Sequence, residues 1–331
     1  MWNYRSIKSL VSVTAVVAGL TGGAAVSAES NYPQRPVTIV VAFAPGGATD
    51  VLARKLAQKL GDHYKQSFVV ENKPGAGGNI GTAYAGRAKP DGYTLYLGTV
   101  ASHGVAPNLY KNVGYDPVKD FAPIGLIAAS PQIIVVNNNS PLKTIEDLVK
   151  HGKSEKSTYA SSGAGTTIHL SGEMFNLKAD TKMEHVPFSG SGPAVNALLG
   201  GHVDVMFDDM PSSAPHVKAG SLRALAVTGK TRSELFPELP TLSEQGKPFG
   251  LDGFDVSAWF FLGAPAGIPD TIATSLNQTL NTILAEPDMK SYVAERGAQT
   301  LPGTRDDAGK FIGAELGKWN EIITAGNIPK L

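Results

Sequence analysis

Residues Val37 to Leu60, VTIVVAFAPGGATDVLARKLAQKL, decide the fold. The β-branched and aromatic run from Val37 to Phe43 reads as a buried strand. The chain then turns through Pro45, Gly46 and Gly47 and enters a helix. Leu52, Leu56 and Leu60 share one face of that helix, with Arg54, Lys55, Gln58 and Lys59 on the others. Thr49 or Asp50 is placed to cap it. Such a turn presents free backbone N–H groups and the positive end of a helix dipole, an anion site suited to a carboxylate or a phosphate. One unit of this kind is common in α/β proteins. Its weight here comes from recurrence further along the chain.

A second unit follows at once. Ser67 to Glu71 is a short strand, Asn72 to Gly78 (NKPGAGG) a glycine-rich loop, and Asn79 to Arg87 starts a helix. Tyr93 to Gly98 is a third strand, closed by Thr99. The order is β-α-β-α-β, the signature of a parallel sheet covered by helices. Phe121 to Ala129 and Gln132 to Val136 read as two apolar strands separated by Ser130 and Pro131, the first crossing out of lobe one. The array then repeats in outline. Strand Ser157 to Ala160 runs into the turn Ser161 to Thr167 (SSGAGTT) and the helix His169 to Leu177. Strand Met183 to Phe188 runs into Ser189 to Gly192 (SGSG) and the helix Pro193 to Leu199, with Pro where a missing N–H costs little. Val203 to Phe207 is a strand ending in Asp208-Asp209, and Leu222 to Thr228 is another. Val256 to Ala264 reads as the return crossing, before helices in Asp270 to Ala285, Pro287 to Arg296 and Ala308 to Ala325. The expectation is an α/β protein of two lobes, residues 29–130 plus 256–331 and residues 131–255. The glycine turns of both lobes face a shared cleft, because ligands of parallel sheets lie beyond the carboxyl ends of the strands.

The 331 residues carry 29 Lys plus Arg and 29 Asp plus Glu. Zero net charge gives no support to a nucleic-acid or membrane-surface role. Arg5 and Lys8, the apolar run Leu10 to Leu20 and the small residues Val26-Ser27-Ala28 read as a secretory signal peptide over residues 1–28. The apolar run is too short and too rich in Ser, Thr and Gly to span a membrane comfortably. With no cysteine there is no disulfide framework and no thiol nucleophile. A soluble periplasmic protein is expected.

Enzyme and cofactor motifs fail on spacing. His169 and Glu173 stand at i and i+4, but no third metal ligand is suggested. Gly75, Gly77, Gly78 and Gly81 nearly spell the dinucleotide fingerprint, yet Ile80 stands where its last glycine belongs. Ser162 lies between Ala160 and Ala164, and Ser191 between Ser189 and Pro193, so neither sits on a G-x-S-x-G elbow.

The segments YPQRPVTIVVAFAPGGATDVLAR, VVENKPGAGGNIGT, PDGYTLYLGT, YASSGAGTTIHLSGEMF, HVPFSGSGPAVNALLGGHVDVMFDD, HVKAGSLRALAVTG, PELPTLSEQG, WFFLGAPAGIP and KWNEIITAGNI carry a resemblance. Over residues 31–331 the chain resembles Bug-type (TctC-like) periplasmic solute receptors of tripartite tricarboxylate transporters. The resemblance implies a two-lobed periplasmic binding protein fold (Venus flytrap, type II-like) with two strands crossing between the lobes. It implies a monomer that closes on a small carboxylate and delivers it to the transporter's membrane subunits, with no cofactor and no catalysis. Two strand-to-helix loops would hold the carboxylate, here Phe43, Pro45, Gly46, Gly47, Thr49 and Asp50 facing Ser162, Gly163, Thr166 and Thr167. Asn79, Thr99, His169, Phe188 and Asp208 also fall at cleft positions of the family. By their residue types alone, Thr166 and Thr167 also suit a helix cap, Asn79 a cap, His169 a packing role and Phe43 and Phe188 the core. The family usually has Asp-Asn or a similar pair at Asp208-Asp209. The extra acid either meets an amine or hydroxyl of the ligand or faces solvent. Lobe rotation about residues near Ala128 to Gln132 and Ser257 to Phe261 would be the signal a permease reads. The alternatives are a receptor that docks on a sensor kinase, or a cleft enzyme acting on a carboxylate. The second lacks any nucleophile–base pair. Dicarboxylates, tricarboxylates, acidic amino acids and aromatic acids all remain open as ligands.

Overall fold

The computed structural model describes residues 32–154, 156–325, 328 and 330–331. The expected signal peptide lies outside the described residues. β1 (Val37–Val41) leads through the Pro45–Gly47 turn into α1 (Ala48–Tyr64), followed by β2 (Phe68–Asn72), α2 (Asn79–Gly86) and β3 (Thr94–Thr99). β1 lies between β2 and β3 and parallel to both, with Ile39 opposite Val70 and Leu95. Ile39, Val40, Leu95 and Leu97 are wholly buried, as are Leu52, Leu56 and Leu60 of α1. Apolar residues on both faces of a strand are what a sheet covered by helices requires. The β-α-β-α-β reading of this segment holds.

A turn of π-helix at Ala101–Val105 leads into the short α3 (Ala106–Leu109). The chain then enters β4 (Phe121–Asn137), a single strand of 17 residues. The sequence suggested two strands broken at Ser130-Pro131. Instead β4 changes sheets there. Up to Pro131 it pairs with β9 (Ser257–Pro265), and from Gln132 it pairs with β7 (Val205–Asp209) and β8 (Leu222–Val227). The missing N–H of Pro131 falls at the junction of two ladders, where a proline is tolerated. β9 continues the first sheet by pairing antiparallel with β3.

The second sheet holds β5 (Thr158–Ser161) between β6 (Glu184–Pro187) and β7, all parallel, with β4 antiparallel to β7. The helices here are α4 (Ile145–Gly152), α5 (Thr167–Ala179), α6 (Ser191–Leu199), α7 (Met210–Lys218) and α8 (Leu242–Gly246). The sequence reading missed three of them, α4, α7 and α8. α4 is started by a capping box, in which Thr144 Oγ1 accepts from Asp147 N at 3.0 Å and the Asp147 carboxylate accepts from Thr144 N at 3.0 Å. α7 holds Pro211 and Pro215, residues that disfavour a helix interior. Pro211, however, occupies the first turn, where its N–H has no partner to lose. After β9 come α9 (Asp270–Ala285), α10 (Pro287–Ala294), β10 (Gln299–Thr300) and α11 (Arg305–Ala325), which return to the first sheet through β10 on β4.

Gly98 of β3 lets the Phe261 ring of β9 lie across the strand. A Cβ at Gly98 would stand 2.0 Å from Phe261 Cε1. Gly98→Ala should therefore destabilise the folded chain by about 1–3 kcal/mol through overpacking. A urea midpoint equal to that of the parent chain would show that the ring has room to move.

Candidate ligand-binding site

Four helices begin at one cavity between the sheets. Ala48 and Thr49 of α1, Thr167 of α5 and Ser191 of α6 line it, as does Asp209 immediately before α7. Thr99, Val100 and Ala101 bring the start of the π-turn to the same place, and Ala258 and Phe260 of β9 form one wall. The first N–H groups of a helix have no partner within it, and the helix dipole is positive there. The N-caps of α1, α6 and α7 (Gly47, Gly190 and Asp209) accept no hydrogen bond through a side chain. The expectation that Thr49 or Asp50 caps α1 is thus corrected, because the chain enters that helix through Gly47. Thr166 does cap α5, its Oγ1 accepting from His169 N at 3.3 Å. The cavity is lined by backbone and hydroxyl donors with no Lys, Arg or His among them. Its space open to the centre of a water molecule is about 20 Å³, room for roughly one water. A larger ligand requires the rims to part.

Those rims touch. Ala44 N donates to Ser189 O at 3.0 Å, and Tyr110 Oη donates to Ala164 O at 2.7 Å. A Cβ at Gly192 would stand 2.2 Å from Pro45 O, and one at Gly77 would stand 2.1 Å from Ala164 O. Backbone against backbone leaves no room for side chains, which is why the glycines gather here.

Of the residues expected at the site, Phe43, Gly47, Thr49, Thr99, Ser162, Thr166 and Thr167 line the cavity. The others stand elsewhere. Pro45 and Gly46 form the exposed crest of the first loop, Gly46 at φ +89°. The Asp50 carboxylate turns away from the cavity, accepting two bonds from Arg54 at 2.9 Å, one from Gly46 N at 3.0 Å and one from Asn72 at 2.9 Å. Burial pushes its pKa up, but these donors outweigh burial and hold it below the usual carboxylate range. Asp50 therefore pins the loop. Asn79 is buried and accepts from Tyr115 Oη at 3.3 Å, beside a separate surface groove. Gly163, at φ +133°, lies in the second loop against Gly77, and Ser161 Oγ accepts from its N at 3.1 Å. Phe188 packs on the core of the second sheet.

His169 is a packing residue. Its Nδ1 accepts from Gly165 N at 3.2 Å, and its ring lies 4.1 Å from that of His185. His185 Nε2 is 2.6 Å from Ser161 Oγ. Burial lowers the His169 pKa, and burial followed by His169 lowers that of His185 to about 4. Both rings stay neutral near neutral pH and prop the second loop. Among the described residues no group of three or more histidine or acidic side chains is placed to share a metal ion.

The acidic pair needs the largest correction. Asp208 does not reach the cavity. It is wholly buried, and Ser212 Oγ and Ser213 Oγ donate to its Oδ2, the latter at 2.5 Å. Asp209, one residue on and so on the opposite face of β7, lines the cavity. Burial and then the charge of Asp208 push Asp209 up to about 7. Ser191 and Phe260 were also missed as lining residues. The SGSG loop was visible as a glycine turn, but nothing in its composition says that it closes against Ala44 and Pro45.

Such a closed cavity, built from helix N-termini of two packed α/β sheets, defines a solute-binding cleft. Residues 52–328 match the tripartite tricarboxylate transporter family receptor, TctC, and the chain belongs to that family. It is similar to the periplasmic binding protein BugD, with 35% identity and a TM-score of 0.86 over 91% of this chain and 100% of that one. It is similar to R. palustris Rpa4515, solved with adipate, at 36% identity and a TM-score of 0.86 over 91% and 100%. It is also similar to MatC (Rpa3494) from Rhodopseudomonas palustris, solved with bound malate, at 31% identity and a TM-score of 0.83 over 88% and 100%. The two-lobed periplasmic binding protein fold read from the sequence is therefore the fold of this chain.

Asp209 gives the site a signature in stability. Its carboxyl holds a proton in the folded chain up to about pH 7 and loses it near pH 3.9 when unfolded. Stability is therefore lost as pH rises from about 4 through about 7. Asp209→Asn removes this loss. The variant should melt above the parent chain near pH 8, and the difference should shrink towards about pH 4.5. A difference that is constant across pH would place the titration elsewhere.

Proposed function

We propose that this chain is a periplasmic receptor, not an enzyme, that shuts on a small carboxylate and delivers it to the membrane subunits of a tripartite tricarboxylate transporter. The observation that carries this reading is the convergence of four helix N-termini on one cavity that no Lys or Arg enters. A carboxylate there would accept charge-assisted bonds from backbone N–H groups and from the hydroxyls of Thr49, Thr99, Ser162 and Thr167, while the Thr166 hydroxyl is committed to Gly163 O. Each such bond contributes about 1.5–3 kcal/mol. Adipate and malate in the two similar proteins support the ligand class.

In this reading the lobes are residues 29–130 plus 256–331 and residues 131–255, and the protein is exported by the signal peptide over residues 1–28. The lobes part and close about Ala128 to Gln132 and Ser257 to Phe261. Closure brings together Ala44 with Ser189 and Tyr110 with Ala164, and only the closed form presents the joint surface that the membrane subunits read. The receptor works as a monomer and needs no cofactor.

Gly47 tests closure separately from folding. Its φ of −84° accepts any side chain, but a Cβ there meets Ser191 Cβ across the cavity at 3.2 Å. Gly47→Leu should leave the melting temperature without ligand unchanged and weaken binding of a carboxylate that the parent chain takes, by roughly tenfold or more. Titration calorimetry showing full affinity in a normally folded variant would remove this loop from the site.

A further inference from the structure

Asp209 is the one charged side chain that lines the cavity. Gln132 Nε2 donates to its Oδ1 at 3.3 Å, while Gln132 Oε1 accepts from Ser171 Oγ at 2.5 Å. Asp209 thus faces the donor end of the Gln132 amide. Among the described residues nothing donates to Asp209 Oδ2, and Asp209 is only partly buried. Asp208 offers no relief, because its own carboxyl is turned to Ser212 and Ser213 on the other face of β7.

Ionised carboxylates only accept hydrogen bonds. Above about pH 7, where Asp209 is ionised, a plain carboxylate ligand in this cavity would set a second acceptor-only group near it with no cation between them, and like charges in a poorly hydrated space repel. We propose that the ligand carries, beside the carboxylate held by the helix N-termini, a hydroxyl or ammonium group that donates to Asp209. The inference rests on the carboxylate reading of the cavity and narrows it to hydroxy- and amino-carboxylates. The raised pKa of Asp209 agrees with a carboxylate that lacks a donor until such a ligand arrives. A site arranged around an acceptor discriminates against analogues that leave it unpaired.

The test is titration calorimetry of the full mature chain at about pH 8, above the Asp209 pKa, with succinate, glutarate and adipate and with the 2-hydroxy and 2-amino counterpart of each. In the parent chain the donor-bearing member of at least one set should bind tighter than the plain diacid by roughly tenfold or more. The hydroxy and amino arms identify which donor is preferred. In Asp209→Asn, which replaces the acceptor-only group with an amide that can donate, that preference should collapse. The comparison within the parent chain stands even if the variant folds poorly. Plain diacids binding as tightly as their counterparts, or a preference that survives in Asp209→Asn, would overturn the inference and leave the carboxylate reading intact. No binding by any member would overturn the inference, and no binding by tricarboxylates and aromatic acids either would remove the carboxylate reading.

Discussion

The structure depends on helix starts that are left without side-chain partners. α1, α6 and α7 enter their first turns through Gly47, Gly190 and Asp209, none of which accepts a capping bond through its side chain. Helix ends elsewhere in the chain, such as α4 and α8, carry full capping boxes. A buried start with unpaired N–H groups costs stability unless water or a ligand fills the role. The second sheet supplies three of the four helix starts, so neither lobe completes the cavity alone.

The supports around these starts are rigid and local. Arg54 and Asn72 hold Asp50, which holds Gly46 N, so the first loop is fixed by its own helix and by β2. The His169 and His185 rings, in tilted contact, and Ser161 do the same for the second loop. Loops so fixed pay little ordering entropy when a ligand binds. The long strand β4 and its partner β9 join the two sheets, and the ladder changes partners between Pro131 and Gln132.

Much of this was legible in the sequence. The β-branched run before Pro45-Gly46-Gly47 and the leucine spacing after it gave β1, the turn and α1, because each element there follows its own periodicity. Asp209 was not legible. β7 is buried on both faces, so Val205, Met206 and Phe207 show no alternation, and nothing fixes which of Asp208 and Asp209 points at the cavity. Pro131 misled for a related reason. A proline marks a missing donor, and only the tertiary partner tells whether that donor was needed. Asp50 was read as a cap and a ligand contact, whereas it pairs with Arg54 one turn on and pins the loop.

The central claim is that backbone and hydroxyl donors at helix starts bind a carboxylate without a cation. The most direct measurement is calorimetric titration of a bound carboxylate against its primary amide, which keeps the shape and removes the charge. The account predicts that the amide binds weaker by about a hundredfold or more, the loss of two charge-assisted bonds. Equal affinities for acid and amide would contradict it.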